Sequence, residues 1–217
     1  MSRTSQSIAI AAGVVVLVIV SLSATFVFDG DDSRPTAQVD TGREAALASA
    51  GAPTIGAANA KVHIVEFLDP ACETCALFFP MVKKWMSEVP GQIRLSVRHV
   101  AFHSGSQYAV KALLASRKQD RYWETLEALL ASQRLWTEHH VVKPDKVDMV
   151  LENAGLDLEQ LKADMNAMDV LHHFEQDKND AITLKVSKTP DYYVNGRPLP
   201  SFGAQQLADL VREELEK

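Results

Sequence analysis

The chain has 217 residues, 47% hydrophobic and 23% charged, close to the averages of globular proteins. That composition excludes a disordered chain, a collagen-like chain and a polytopic membrane protein, and a formal net charge of −6 argues against broad nucleic-acid binding. The two cysteines, Cys72 and Cys75, are too few for a disulfide framework or a four-thiolate zinc site.

Residues 8–28 form an uncharged run rich in Val, Ile, Leu and Ala. As a helix, at about 1.5 Å per residue, it reaches roughly 30 Å, the thickness of a bilayer core. Arg3 precedes the run, and Asp29, Asp31 and Asp32 follow it. The positive-inside bias places 1–7 in the cytoplasm and the rest of the chain outside. A cleaved signal peptide is the rival reading, but its apolar part is usually shorter. We read 8–28 as a signal-anchor; either reading exports the remainder to an oxidising space. Residues 29–52 read as a small, polar, turn-rich linker, with one short helix around 44–49.

VHIVEFL at 62–68 is a nearly continuous β-branched and apolar run, which fits a strand covered on both faces. From Glu73 to about Glu88, Phe78, Val82, Trp85 and Val89 recur at helical spacing, with Pro80 inside and Pro90-Gly91 as a stop. IRLSV at 93–97 alternates as a second strand, with room to extend to Phe102. Strand, helix and strand make a βαβ unit with parallel strands. Residues 103–187 read as helical throughout, with Asp157 able to cap a helix and Gln160 at the box position. In DYYVNGRPL, residues 192–194 predict a strand and Asn195-Gly196 a hairpin turn. A helix over 204–216, with Leu207, Leu210, Val211 and Leu215 inward, closes the chain.

Cys72 falls where a strand ends and a helix begins. Backbone N–H groups without partners and the positive end of the helix dipole stabilise a thiolate there. Cys75 lies on the same face one turn inside the helix, more shielded. The pair is unequal: Cys72 exchanges with an external thiol and Cys75 resolves the mixed disulfide. Glu66, an acid inside an apolar strand, shares a face with Ile64 and Leu68. Burial raises a carboxyl pKa, which suits Glu66 to give and take a proton at Cys75. Thr189-Pro190 precedes the predicted strand, where a cis X–Pro bond would make a tight turn. His139-His140 and His172-His173 read as solvated helix-surface residues. His99 and His103 are candidates to approach the cysteines from the end of the second strand, on which the sequence is silent.

Together these residues resemble the thioredoxin superfamily and, within it, the DsbA-like branch, over about 53–217. The resemblance implies a thioredoxin-like α/β fold with a helical insert at about 103–187, preceded by one transmembrane helix. It places Glu66 where the superfamily has an acid, Cys72 and Cys75 at the reactive pair, and Pro80 at the helix proline. Thr189 and Pro190 fall at the cis-proline loop that holds the substrate backbone. The dipeptide Glu73-Thr74 departs from the Pro-His of the strongly oxidising members. Glu73 opposes a thiolate at Cys72, no histidine lies between the cysteines to offset it, and a weaker oxidant is expected. Thr189, in place of the valine of such oxidants, is similar to reductase and isomerase relatives, so the direction of electron flow stays open.

The expected function is extracytoplasmic thiol–disulfide exchange with cysteine-containing protein substrates, at a single-pass inner (cytoplasmic) membrane protein whose catalytic domain faces the periplasm. A membrane redox partner resets the dithiol, and no cofactor or metal is called for. The alternative is a copper-handling protein that holds Cu(I) on the reduced Cys72–Cys75 pair.

Overall fold

In the computed structural model, which describes residues 41–139 and 141–217, the first elements are α1 (Thr41–Ala48), β1 (Thr54–Ile55), β2 (Val62–Leu68), α2 (Glu73–Glu88) and β3 (Ile93–His99). Then come α3 (Ser106–Ala115), a 3-10 turn (Ser116–Gln119), α4 (Tyr122–Ala131), α5 (Gln133–Trp136), β4 (Thr137–Glu138) and β5 (Val141–Val142). The chain closes with α6 (Pro144–Asn153), α7 (Leu158–Asp164), α8 (Met168–Thr183), β6 (Asp191–Val194), β7 (Arg197–Pro198) and α9 (Ala204–Glu216). The cytoplasmic segment expected at 1–7, the signal-anchor expected at 8–28 and the start of the expected linker lie outside the described residues. Among the described residues no helix is long and apolar enough to cross a membrane.

The run VHIVEFL is the middle of a five-stranded sheet of order β1-β3-β2-β6-β7. β2 pairs with β3 in parallel, from Val62 opposite Ile93 to Leu68 opposite His99, and with β6 antiparallel, from Ile64 opposite Val194 to Phe67 opposite Asp191. Both faces of β2 are covered, which explains its unbroken apolarity. Val62, Ile64 and Leu68 pack into the larger core with Cys75, Phe79 and Val82 of α2. Val65 and Phe67 point the other way, into a smaller core with Ala46 of α1, Ala181 of α8 and Tyr193. Glu66 is therefore on the α2 side of the sheet, by the period of two.

α2 runs through Pro80 as one helix and gives way at Val89. The Asn195-Gly196 turn joins β6 to β7, with φ of 47° and 78° at its two residues, as a mirror-image hairpin turn requires. Asp157 caps α7 by accepting from the Gln160 N–H at 3.0 Å.

The element pattern differs from the sequence reading in the helical block and in the first helix. Between α3 and α8 the chain is interrupted by a ribbon, β4 against β5, turning at His139 with φ 49°. Thr137, Val141 and Val142 are β-branched and favour an extended backbone over a helix turn. The short helix expected at 44–49 forms one turn earlier, as α1, and is part of the fold: Ala46 is buried, and its carbonyl accepts from Arg98 Nη1 at 2.6 Å.

Candidate active site

β2 ends at Leu68, and Asp69, Pro70 and Ala71 carry the chain to Cys72, the N-cap of α2, with extended φ −81° and ψ 116°. The loop is held at both sides. Asp69 O accepts from Cys72 N at 2.9 Å, and Gln133 at the start of α5 donates Nε2–H to Pro70 O at 2.7 Å. The helical insert thus braces the turn that presents the cysteines.

The two cysteines are free thiols in unlike surroundings. Cys72, the less shielded of the two on the sequence reading, is itself only 5% exposed, because the Thr189–Pro190 loop lies over it, and Cys75 is at 0%. Cys72 Sγ is 3.2 Å from the Thr189 carbonyl, to which the thiol donates. The Thr189–Pro190 peptide is cis. In the thiolate form Cys72 accepts from the Cys75 thiol first, then from the Thr189 side chain and from the backbone N–H groups of Cys75 and Thr74, against the cost of burial. These donors push its pKa down to about 5. Cys75 goes the other way: burial, the hydrogen bond it gives to Cys72, and the charges of Glu66 and Cys72 push it well above the ordinary thiol range. Glu73 is exposed as the first residue of α2, and Thr74 is half-buried behind it.

Glu66 is fully buried. The Tyr192 hydroxyl of β6 donates to its Oε1 at 3.0 Å, while Oε2 has no hydrogen-bond partner. Burial pushes the Glu66 pKa up to about 8, the Tyr192 hydrogen bond working against the shift and the charge on Cys72 adding to it. At neutral pH Glu66 is mostly protonated, and it is electrostatically coupled to both sulfurs. Of the two sequence readings of Tyr192, groove lining or core packing, the structure gives core packing: it is fully buried, and its stacking on Phe78, at 6.1 Å between ring centres, ties β6 to α2.

Asp69 has a structural part that sequence reading missed. Its buried carboxylate accepts from Ala71 N at 2.9 Å on Oδ1, and from Phe102 N, His103 N and Ser106 Oγ at 2.7, 3.0 and 3.0 Å on Oδ2. His103 Nδ1 is 2.9 Å from the same Oδ2. The loop after β3 is thereby fastened to the loop before α2. The available signal was an aspartate just past a strand end, where a short acceptor side chain can satisfy the N–H two residues on.

His99 and His173 do not belong to this site. His99 Nδ1 and Asp177 Oδ2 are 2.7 Å apart, His99 Nε2 and the Tyr122 hydroxyl 2.8 Å, and Arg98 Nε donates to Asp177 Oδ1 at 2.6 Å. His173 turns inward toward this group instead of lying on the surface, since its position on α8 faces β3; His172 is exposed as expected. The ligand atoms of His99, His173 and Asp177 come within 4.8 Å of one another, but Asp177 Oδ2 already accepts from the His99 N–H at 2.8 Å, and the Arg98 guanidinium occupies the other oxygen.

The thioredoxin family model matches residues 48–212. Disulfide bond formation protein D of Bacillus subtilis (strain 168) is 29% identical over 175 residues, 77% of either chain. The solved thioredoxin-like oxidoreductase from Silicibacter pomeroyi DSS-3 superposes with a TM-score of 0.69 at 29% identity, over 80% of this chain and 98% of that one. Wolbachia pipientis alpha-DsbA1 gives a TM-score of 0.69 at 17% identity, over 81% and 96%, a likeness of fold. The Na(+)/H(+) antiporter NhaA of Herminiimonas arsenicoxydans is 26% identical over 144 residues, 66% of this chain but only 22% of the antiporter's length.

Proposed function

Because this chain belongs to the thioredoxin family and is a DsbA-like thiol–disulfide oxidoreductase, we propose that it passes a disulfide from Cys72–Cys75 to cysteine-containing protein substrates outside the cytoplasm. The observation that carries this reading is the inequality of the two sulfurs: Cys72 pushed down to about 5 at the start of α2, and Cys75 pushed well up beside it.

In the oxidised protein a substrate thiolate attacks Cys72 Sγ, the Cys72–Cys75 bond breaks, and Cys75 leaves as a thiolate. Protonated Glu66 supplies the proton that Cys75 takes up. A second substrate thiolate then attacks the substrate sulfur of the mixed disulfide and expels Cys72 as a thiolate. The substrate has lost two electrons and holds the new disulfide; the protein keeps a Cys72 thiolate and a Cys75 thiol. A low pKa makes Cys72 the better leaving group and so favours oxidation of the substrate. At about 5, against roughly 3.5 for the strongest oxidants and roughly 7 for thioredoxin, Cys72 suits an oxidant of intermediate strength. Thr189 and Pro190 sit against Cys72 and suit an extended substrate backbone. The exposed Leu77 and Leu135 flank a groove with Glu73 and Gln133 beside the site. The uncharged run at 8–28 supports anchoring in the inner membrane with this domain on the periplasmic side, where a membrane redox partner re-forms the disulfide.

Replacing Cys75 by Ser tests the assignment. The variant cannot form the Cys72–Cys75 disulfide; its Cys72 thiolate should attack the disulfides of oxidised envelope proteins and, with no Cys75 to displace it, accumulate mixed disulfides visible as thiol-sensitive bands, while Cys72→Ser should trap none. Equal trapping by both variants would remove the distinction between the sulfurs.

A further inference from the structure

The dipeptide Glu73-Thr74 puts a negative charge, and no positive one, beside Cys72. We propose that His103, oriented by Asp69, is the cation that offsets Glu73 and holds the Cys72 thiolate, a positioning residue supplied by the loop after β3 instead of from between the cysteines. The inference rests on the reading of Cys72 as the attacked sulfur.

The geometry is one of shared anchorage. Asp69 accepts from Cys72 N through its carbonyl and from His103 N and Nδ1 through its carboxylate. One residue therefore fixes both the backbone that carries the sulfur and the ring. Hydrogen bonding to Asp69 directs a proton to Nδ1, and a second proton on Nε2 makes the ring a cation. The ring is 26% exposed, so water supplies and removes that proton. The charged and titratable groups that act on it include Asp69, just after β2, and Cys72 and Glu73 from the start of α2. The hydrogen bond to Asp69, opposed by burial, and then the charges of Asp69, Cys72 and Glu73 hold the His103 pKa above its ordinary value. Coupling between two titrating sites is mutual: what the Cys72 thiolate does for the imidazolium, the imidazolium does for the thiolate. Asp69 is the orienting group, since its carboxylate is also committed to the donors of Ala71, Phe102 and Ser106. Glu73 is exposed at the head of α2.

His103→Asn keeps a donor toward Asp69 at the Nδ1 position and removes the titration. In the reduced full chain, Cys72 ionisation is followed by thiolate absorbance and by its alkylation rate against pH. The parent should show the Cys72 step near pH 5, and a second, smaller change in rate as His103 loses its proton. In His103→Asn the second change should vanish and the first should move up, leaving about three- to tenfold less thiolate near the parent midpoint. His103→Lys should retain most of the parent behaviour, and Glu73→Gln should move the midpoint down. A folded His103→Asn with the parent's midpoint and profile overturns the proposal. If that variant does not fold, a His103→Lys midpoint shifted up together with a Glu73→Gln midpoint unmoved overturns it instead. A parent Cys72 that titrates in the ordinary thiol range sinks the reading of the site itself, which is a different failure from an unchanged His103→Asn.

Discussion

Glu66 is fully buried with one oxygen unpartnered, so its protonation is a matter of stability as well as chemistry. Its pKa is about 8 in the fold and about 4.5 in the unfolded chain. An acid whose folded pKa is raised holds its proton more tightly when folded; stability is highest below the unfolded value and falls as pH climbs to the folded one. Glu66→Gln abolishes that fall. The reduced variant should be more stable than its parent at neutral pH by on the order of 3 kcal/mol, and the gain should disappear below the unfolded pKa. Urea midpoints across that range measure it, and equal midpoints at neutral pH would mean that water reaches the carboxyl. The same variant should slow the proton-dependent step at Cys75 by about a hundredfold, the lower end of general acid–base effects. Glu66, Cys72, Cys75 and Pro190 can be picked out of the sequence because each departs from its immediate surroundings: an acid in an apolar strand, a thiol pair at a helix start, a proline at a strand start. Asp69 carries only the weak sign of an aspartate past a strand end, and His103 and Tyr192 give none. Their partners lie 34 positions away for the Asp69–His103 pair and 126 for the Glu66–Tyr192 pair, and only the fold brings them together.

Arg98 joins three elements. From β3 it donates Nε–H to Asp177 of α8, Nη2–H to Asp180 of α8, and Nη1–H to the Ala46 carbonyl of α1. Arg98 and Asp177 are both at 0% exposure. Burial opposes a charge on Asp177, but its hydrogen bond with His99 and the charges of His99 and Arg98 outweigh that cost and hold its carboxyl below the ordinary range. Arg98→Met would leave that carboxylate buried beside His99 and His173, with no guanidinium. It should cost about 3–5 kcal/mol, the range for removing one partner of a buried pair. It should also loosen α1, read as faster proteolysis before residue 53. Arg98→Met with Asp177→Leu should recover much of the loss; no recovery would mean that Arg98 acts through Ala46 and not through the pair. This clamp explains which elements can be read from sequence. β2, α2, the Asn195-Gly196 hairpin and α9 carry their own period or turn chemistry, and 204–216 is helical as expected. α1 is eight residues with little intrinsic reason to fold, and it is held by tertiary contacts. The β4–β5 ribbon is two residues a side, too short for a period to show.

The domain's stability should depend on its oxidation state in a way that fixes the direction of exchange. Closing a disulfide over so short a loop restrains the unfolded chain little, worth roughly 2 kcal/mol by chain entropy. Against this, the reduced fold holds Cys72 as a thiolate with a pKa of about 5, while the unfolded thiol lies near 9. A folded pKa that is depressed contributes stability present above the unfolded value and lost as pH falls through the folded one. The cost of burying Glu66 is largely common to both redox forms and cancels in the difference, save for the part due to the Cys72 charge. At neutral pH, about two units above the folded value, the thiolate contributes at most about 2.7 kcal/mol, slightly more than the loop, and the reduced protein should melt about one or two degrees higher than the oxidised one, since about 1 kcal/mol moves Tm by roughly 2–4 °C in a domain of this size. The thiolate contribution falls by about 1.4 kcal/mol per pH unit below neutrality, so the gap should close within about one unit of neutral pH and be reversed by pH 5, where little thiolate remains and the cross-link dominates. Paired melting curves with and without reductant check both halves. A reduced form that melts lower at neutral pH would make Cys72 a poor leaving group in the folded protein, and electrons would then flow from the dithiol to substrate disulfides.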